Sequence, residues 1–271
     1  MQPIISHEVP RCLLTASPEF NDYDYCLPHL LDQDEEYKQY FIDARDKGRY
    51  VIMDNSLHEL GKAYNHQRLL HWINELKPNE FIVPDVWMQC GQTAAQAKYW
   101  KQFTYPKKTK TTAVIQGEDK NQAYLCANLL ANLGYNKLCV SYGATWYNEF
   151  FPHSNEDMGK ALGRVRFVQG LLNLKHLKDV KFHLLGCSIP QEFGWYDNNP
   201  RIESIDTSNP VMAALENIEY KTHGLNNKPK ANMNDHFDIK FEDVQYGSVL
   251  YNVNMFRKIN GFSPYPDNTG Q

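Results

Sequence analysis

Short apolar runs alternate along this chain with longer amphipathic stretches, and this alternation limits the possible folds more than any other feature. The runs typical of β-strands are CLLTAS (12–17), YVIMDNS (50–56), EFIVPDV (80–86), TAVIQG (112–117), KLCVSYGA (137–144), KFHLLGCS (181–188) and IESIDTS (202–208), with PIIS (3–6) as a further candidate. Helical periodicity marks the stretches 34–48, 65–78, 92–103, 120–134 and 159–174. Such alternation is typical of parallel βαβ units and favours an α/β fold.

The length of the chain is consistent with one closed barrel. Seven or eight strands in 271 residues fit a (β/α)8 TIM-like barrel. An open doubly wound sheet is the alternative, but no GxGxxG follows the first strand, so its dinucleotide-binding form lacks its main signature. No linker precedes residue 210. We therefore predict a single domain over 1–271, in which 211–271 form the last helix and a small C-terminal extension.

Composition narrows the class of protein. Hydrophobic residues make up 42% and charged residues 22% of the chain, as in globular domains. No apolar run approaches the ~20 residues of a membrane span, and the start MQPIISHEVPR does not have the pattern of a signal peptide. Six cysteines without a CxxC or CxC pair predict reduced thiols in a cytoplasmic protein. The net charge of −4 shows no overall basic surplus of the kind usual in nucleic-acid-binding domains.

Polar residues follow several predicted strands at the point where each strand ends. Three of them are acids, Asp54, Asp85 and Asp206, and Gln116 with Gly117 ends a fourth strand. In a parallel barrel the carboxyl ends of the strands share one rim, where active sites form. A single aspartate there often caps the next helix, but three acids and an amide on one rim indicate a site.

The residue types at this rim limit the classes of reaction that the site can catalyse. The chain has no HxH or HExxH pattern, no spacing supports a metal site built from the three carboxylates, and no GxSxG elbow indicates a serine nucleophile. Two carboxylates can instead act on a sugar, one attacking the anomeric carbon while the other moves protons. A further acid and an amide can hydrogen-bond the donor and acceptor edge of a planar base.

Taken in chain order, the segments at the strand ends have a familiar pattern. They are Asp54-Asn55-Ser56, Pro84-Asp85-Val86, Ile115-Gln116-Gly117-Glu118, Ser141-Tyr142-Gly143-Ala144, Leu184-Leu185-Gly186-Cys187-Ser188 and Ser204-Ile205-Asp206-Thr207-Ser208-Asn209-Pro210. This series resembles the motifs of the tRNA-guanine transglycosylase superfamily, TIM-barrel enzymes that exchange guanine for a 7-deazaguanine base through a covalent aspartyl-ribosyl intermediate. The resemblance spans roughly residues 50–210.

The resemblance implies a role for each matching residue. Asp206 corresponds to the nucleophile that attacks C1′, and Asp54 to the general acid/base. The residues expected to contact the base are Asp85, Gln116, Gly117, Gly143, Tyr142 and Asn55. Neither a metal nor a cofactor is expected, and the free 7-deazaguanine base is the co-substrate.

The chain departs from the tRNA enzymes in ways that affect the expected substrate. Those enzymes carry a Cys-x-Cys-x-x-Cys…His zinc site after the barrel, whereas here no cysteine follows Cys187. Ser56 and Leu57 stand where the family has two glycines, and the family's arginine after Leu-Pro-Thr is absent. The chain is therefore more similar to short bacteriophage-type DNA-guanine transglycosylases. We expect DNA as the acceptor, with tRNA as the alternative, an incoming base similar to preQ0, and a location in the cytoplasm (the host's, if phage-encoded).

A base inside a duplex must be flipped out to reach a barrel rim, which calls for stacking surfaces and phosphate contacts. The aromatic residues Tyr142, Trp146, Tyr147, Phe150 and Phe151 are candidates for stacking, although they equally suit the packing of a long loop. Basic residues expected near the rim to hold phosphates are Lys107, Lys108, Lys110, Arg201 and Lys230. Each can also be simply a solvated surface residue.

Three other interpretations stay open at this stage. A nucleoside or glycoside hydrolase could use Asp54 and Asp206 as its acid pair. A non-catalytic barrel could bind nucleic acid or a partner subunit without chemistry. Finally, the three acids could be helix caps or ion-pair partners. The sequence does not fix the oligomeric state.

Overall fold

The computed structural model describes residues 2–223, 229 and 231–265, apart from the side chains of 222 and 223. It contains eight strands, each short and mostly buried. They are β1 (Ile4–Ser6), β2 (Asp24–Cys26), β3 (Val51–Met53), β4 (Glu80–Ile82), β5 (Lys110–Val114), β6 (Lys137–Ser141), β7 (Lys181–Leu185) and β8 (Ile202–Asp206).

Helices follow most strands and cover the outside of the sheet. They are α1 (Pro28–Gln33), α2 (Glu35–Asp46), α3 (Leu57–Leu60), α4 (His66–Leu76), α5 (Cys90–Trp100), α6 (Lys120–Asn132), α7 (Tyr147–Phe150), α8 (Glu156–Asn173), α9 (Asn209–Leu215), α10 (Tyr220–His223), α11 (Met233–His236) and α12 (Tyr246–Ile259). Five 3-10 turns complete the regular structure, at Arg11–Leu13, Ser17–Glu19, Lys175–Leu177, Pro190–Tyr196 and Phe241–Asp243.

The strands form one parallel sheet in the order β1-β8-β7-β6-β5-β4-β3-β2. The sheet curves into a nearly closed barrel, with β1 and β2 on either side of the seam. Asn21 and Asp22 bridge this seam: the Asp22 amide donates to the Ile5 carbonyl at 2.9 Å, and Asn21 Oδ1 accepts from the His7 amide at 2.7 Å. The predicted α/β fold of the (β/α)8 TIM-like type is confirmed.

The local signals for the helices agree with this architecture. The side chains of Asp34, Asn65 and Asp119 accept hydrogen bonds from the first-turn amides of α2, α4 and α6, as N-caps do. Gly48 and Gly134 follow α2 and α6 with φ angles of 77° and 83°, the left-handed conformation expected of a glycine that ends a helix.

The predicted strand at 12–17 is wrong. That segment forms the two 3-10 turns near the start of the chain, and the strand of this βα unit is β2, which was not predicted. The reason is a buried charge: Asp24 is 2% exposed and pairs with Arg49, whose Nε lies 2.5 Å from Oδ2. With Asp22 and Asp24 beside only three apolar residues, the segment 22–26 lacks the longer apolar run by which the other strands were recognised.

The described part of the C-terminal region packs against the barrel. Helix α12 lies along α9, and Arg257 of α12 reaches Asp22 at the β1–β2 seam, with Nη1 3.3 Å from Oδ2. Among the residues described, no helix has the length and apolar character needed to cross a membrane.

Candidate functional site

A cavity of about 210 Å³ lies at the carboxyl ends of the strands. Six of the residues predicted from the sequence line it: Asp54, Asn55, Asp85, Gln116, Tyr142 and Asp206. Two further acids, Glu8 and Glu59, bring its carboxyl groups to five, and the described lining includes no lysine or arginine. The cavity is therefore rich in carboxyl groups.

Asp206 ends β8 and is held by a histidine from the neighbouring strand. His183 Nε2 lies 2.8 Å from Asp206 Oδ1, and its Nδ1 lies 2.7 Å from the hydroxyl of Ser204. His183 is 1% exposed, so this chain of hydrogen bonds is shielded from solvent. Within the described residues Oδ2 makes no hydrogen bond, which leaves it available to the cavity.

Asp54 is anchored through both oxygens. The Tyr25 hydroxyl donates to Oδ1 at 2.9 Å, and the Ser56 amide donates to Oδ2 at 2.7 Å. Ser56 adopts a φ of 57°, and this left-handed turn directs its amide back to the carboxylate. Burial raises the pKa of Asp54, and the nearby Asp206 charge adds to the effect. An aspartate in this environment can hold a proton at a higher pH than an exposed one.

Asp85 is the centre of a polar network that spans three strand ends. Asn55 Nδ2 donates to Oδ1 at 2.7 Å, and Gln116 Nε2 donates to Oδ2 at 2.6 Å. Gln116 is itself fixed because its Oε1 accepts from the Met88 amide at 2.9 Å. Burial raises the pKa of Asp85 to about 6, although the two amide donors oppose this shift. Each carboxylate oxygen retains a second lone pair for a ligand.

Sequence reasoning missed Glu8 and Glu59. Burial raises the pKa of Glu59 to about 8, and Asp54 contributes to the shift. Burial also raises the pKa of Glu8 well above its ordinary value, reinforced by Glu59 and Asp206. Glu8 lies two residues beyond β1, so the strand-end argument would have found it if PIIS had been treated as a definite strand.

The two glycines expected to contact the base differ in position from a third glycine at the rim. Gly143 and Gly117 do not line the cavity, whereas Gly186 does. A Cβ at Gly117 would come within 2.5 Å of the Ala123 amide nitrogen in α6, so this glycine permits close packing of the helix. A Cβ on Gly143 would lie 2.7 Å from the ring of Trp87.

The aromatic rings of Tyr142 and Trp87 are part of the apolar lining of the cavity. Tyr142 packs directly on Gly186, where a Cβ would come within 2.4 Å of the ring. Trp87, 42% exposed, lines the outer part and was not predicted from the sequence. The other aromatic candidates for stacking behave differently: Trp146 and Tyr147 are buried against Phe167.

The basic residues predicted to lie near the rim are at the other end of the barrel. Lys110 begins β5, Lys107 and Lys108 precede it, and Arg201 precedes β8, so all four lie at the amino ends of the strands. The Arg201 guanidinium donates to the carbonyls of Val180 and Leu172. The expectation that they flank the cavity is therefore wrong, since a residue before a parallel strand lies away from its carboxyl end. Lys230 lies outside the described residues.

The described residues include no group of three or more His, Cys, Asp or Glu side chains arranged to hold a metal ion. The protein is thus a (β/α)8-type barrel. At the carboxyl ends of its strands it has a cavity lined by carboxyl groups and aromatic rings. The sequence matches no protein-family model and no curated protein. The resemblance to the transglycosylase superfamily therefore depends on the ordered strand-end motifs alone.

Proposed function

We propose that this protein is a guanine transglycosylase that exchanges guanine in a nucleic acid for a 7-deazaguanine base. The observation that carries the proposal is the convergence of Asp54, Asp85, Gln116 and Asp206 from four different strand ends on one cavity. These are the residues whose chemistry the exchange requires: a nucleophile, a proton carrier and two groups that bind a base edge.

The proposed exchange has two steps. Asp206 attacks C1′ through Oδ2, the bond from C1′ to N9 of guanine breaks, and the departing base takes a proton from the Asp54 carboxyl group. The incoming 7-deazaguanine then returns a proton from N9 to Asp54 and attacks C1′, releasing Asp206 as a carboxylate. The raised pKa of Asp54 supports this role, since a general acid works best with a pKa near the operating pH.

The cavity also has the size and polarity for a purine-like base. A cavity of about 150 Å³ accommodates benzene, so the roughly 210 Å³ here leaves room for a bicyclic ring. Asp85 would accept from the ring and exocyclic N–H groups of guanine, and Gln116 would complete the edge recognition. Guanine and its 7-deaza analogues share this edge, as an exchange reaction demands.

A nucleic acid reaches such a cavity only with its target base extruded or already unpaired. DNA is the acceptor we propose, because residues 188–271 contain none of the cysteines that form the zinc site after the barrel in the tRNA enzymes. Trp87 at the outer part of the cavity offers a face on which an extruded or neighbouring base can stack.

Base exchange is the direct test. Radiolabelled guanine is incubated with the protein and with double-stranded DNA, single-stranded DNA or tRNA. Label in DNA is the expected result. Label in tRNA alone would keep the chemistry and change the acceptor, whereas release of free guanine from the nucleic acid without incorporation would identify a hydrolase. The absence of any reaction with all three acceptors would contradict the proposal.

Guanine binding is expected to weaken as the pH falls through about 6. Asp85 binds the base as a carboxylate, and its pKa of about 6 means that this form is present above pH 6 and is lost below it. We expect about tenfold weaker binding at pH 5 than at pH 7.5. Calorimetric titration with guanine measures the effect. Asp85→Asn should bind weakly at both pH values, and an unchanged affinity in the unsubstituted protein would contradict the role of Asp85.

A further inference from the structure

An amide donor without a partner lies in the cavity wall beside Asp206. Asn209 begins α9, three residues after Asp206, and lines the same cavity. The residue is only 5% exposed, yet its Nδ2 makes no hydrogen bond within the part of the chain that the structure describes. Because a buried N–H without an acceptor is unfavourable, this group calls for an oxygen or nitrogen supplied from within the cavity.

The other end of this amide is fixed. Its Oδ1 accepts from the Tyr220 hydroxyl at 2.5 Å, a separation typical of O–H···O and short for N–H···O bonds. The amide oxygen therefore faces Tyr220, and the NH₂ group is the end of the side chain that has no acceptor among the described residues. Tyr220 is in turn held by Asn252, whose Oδ1 accepts from its backbone amide at 3.2 Å.

The position of Asn209 in the barrel indicates which part of a nucleoside it would meet. In the strand order, β4 and β5 lie across the barrel from β8. The network of Asp85 and Gln116 that would bind the base edge is on that far side, whereas Asn209 is on the side of the nucleophile. The group beside the nucleophile is the sugar that carries C1′.

The charge of the cavity further restricts the acceptor. Asp206, which attacks as a carboxylate, lies beside Asn209, and none of the lining residues described is a lysine or arginine. A phosphate oxygen at this point would be repelled, whereas a neutral sugar oxygen would not. We propose that Asn209 Nδ2 donates a hydrogen bond to an oxygen of the sugar whose C1′ Asp206 attacks. This assignment rests on the proposed function and adds a sugar-binding residue to it.

A comparison of base and nucleoside binding tests the assignment. Guanine and 2′-deoxyguanosine are titrated into Asp206→Asn, which cannot cleave the glycosidic bond, and into the same protein carrying Asn209→Ala. We expect the second substitution to weaken 2′-deoxyguanosine binding about 3- to 10-fold and guanine binding less than 2-fold. Tyr220→Phe, which removes the hydroxyl that orients the amide, should give the same selective loss at a smaller size.

The outcomes separate this assignment from the proposed function. An equal loss for both ligands would mean that Asn209 supports the cavity as a whole, and no loss would mean that it does not contact the sugar. Either result overturns the assignment and leaves the proposed function standing. If neither ligand binds before Asn209 is changed, the proposed function and the assignment both fail.

Discussion

Asp206→Asn is expected to lower the rate of base exchange by about 10³-fold or more while leaving the fold intact. The amide of asparagine is not a nucleophile, so the covalent step is lost, and removing a nucleophile typically has an effect of this order or larger. The substitution preserves size, and the retained Oδ1 can still accept from His183 Nε2, now 2.8 Å from the carboxylate. The initial rate of labelled guanine incorporation measures the effect.

A covalent complex provides the second readout for this prediction. The unsubstituted protein, mixed with DNA and quenched in denaturant, should retain a protein–DNA species that Asp206→Asn does not form. Asp179→Asn is the matched control, because Asp179 is exposed and precedes β7 at the opposite end of the barrel. If Asp206→Asn still forms the complex and Asp54→Asn does not, the nucleophile would be Asp54 and the two roles would be exchanged.

The positions of the three aspartates could be predicted because they follow from one general property of parallel barrels. The carboxyl ends of all strands share one rim, so Asp54, Asp85 and Asp206 had to lie at that rim once the strands were recognised. The same rule, applied to Lys110 and Arg201, would have placed them at the opposite end. Their misplacement came from reading local charge without the direction of the strand.

The contact between His183 and Asp206 could not be predicted from the sequence, for a different reason. Nothing in the sequence relates His183 to an aspartate 23 positions away. The contact depends on register: Leu185 of β7 lies opposite Asp206 of β8, and the two-residue repeat of a strand turns His183 to the same face as Leu185. Pairing register across strands is a property of the folded sheet that the strand-end argument does not use.

The role of Arg164, a buried residue of α8, could not be predicted from the sequence either. Its side chain supports the backbone of the cavity wall. It is 0% exposed, and its Nε lies 2.5 Å from Glu192 Oε1. Its guanidinium also donates to the carbonyls of Leu185 at 2.8 Å and Gly186 at 2.7 Å, which are the strand-end residues beneath Tyr142. A helical arginine thus fixes the backbone of the cavity wall, a role that the periodicity of its helix does not indicate.

Arg164→Met is expected to lower the free energy of unfolding by about 3–5 kcal/mol, because it leaves Glu192 buried without its counter-charge. For a chain of this size the melting temperature should fall on the order of 10 °C. Thermal and urea unfolding measure the loss. Arg166→Met is the matched control on the same helix. Because Arg166 is exposed, this substitution should lower the free energy of unfolding by less than about 1 kcal/mol.

A second substitution tests whether the loss of stability in Arg164→Met comes from the unpaired charge of Glu192. Adding Glu192→Leu to Arg164→Met removes that charge, and we expect the double variant to recover part of the stability, as buried pairs replaced by apolar residues do. The recovery should be incomplete because the carbonyls of Leu185 and Gly186 still lose their donor. The folded double variant should therefore bind guanine more weakly than the unsubstituted protein. Full recovery of stability together with unchanged guanine affinity would show that Arg164 does not hold the cavity wall in place.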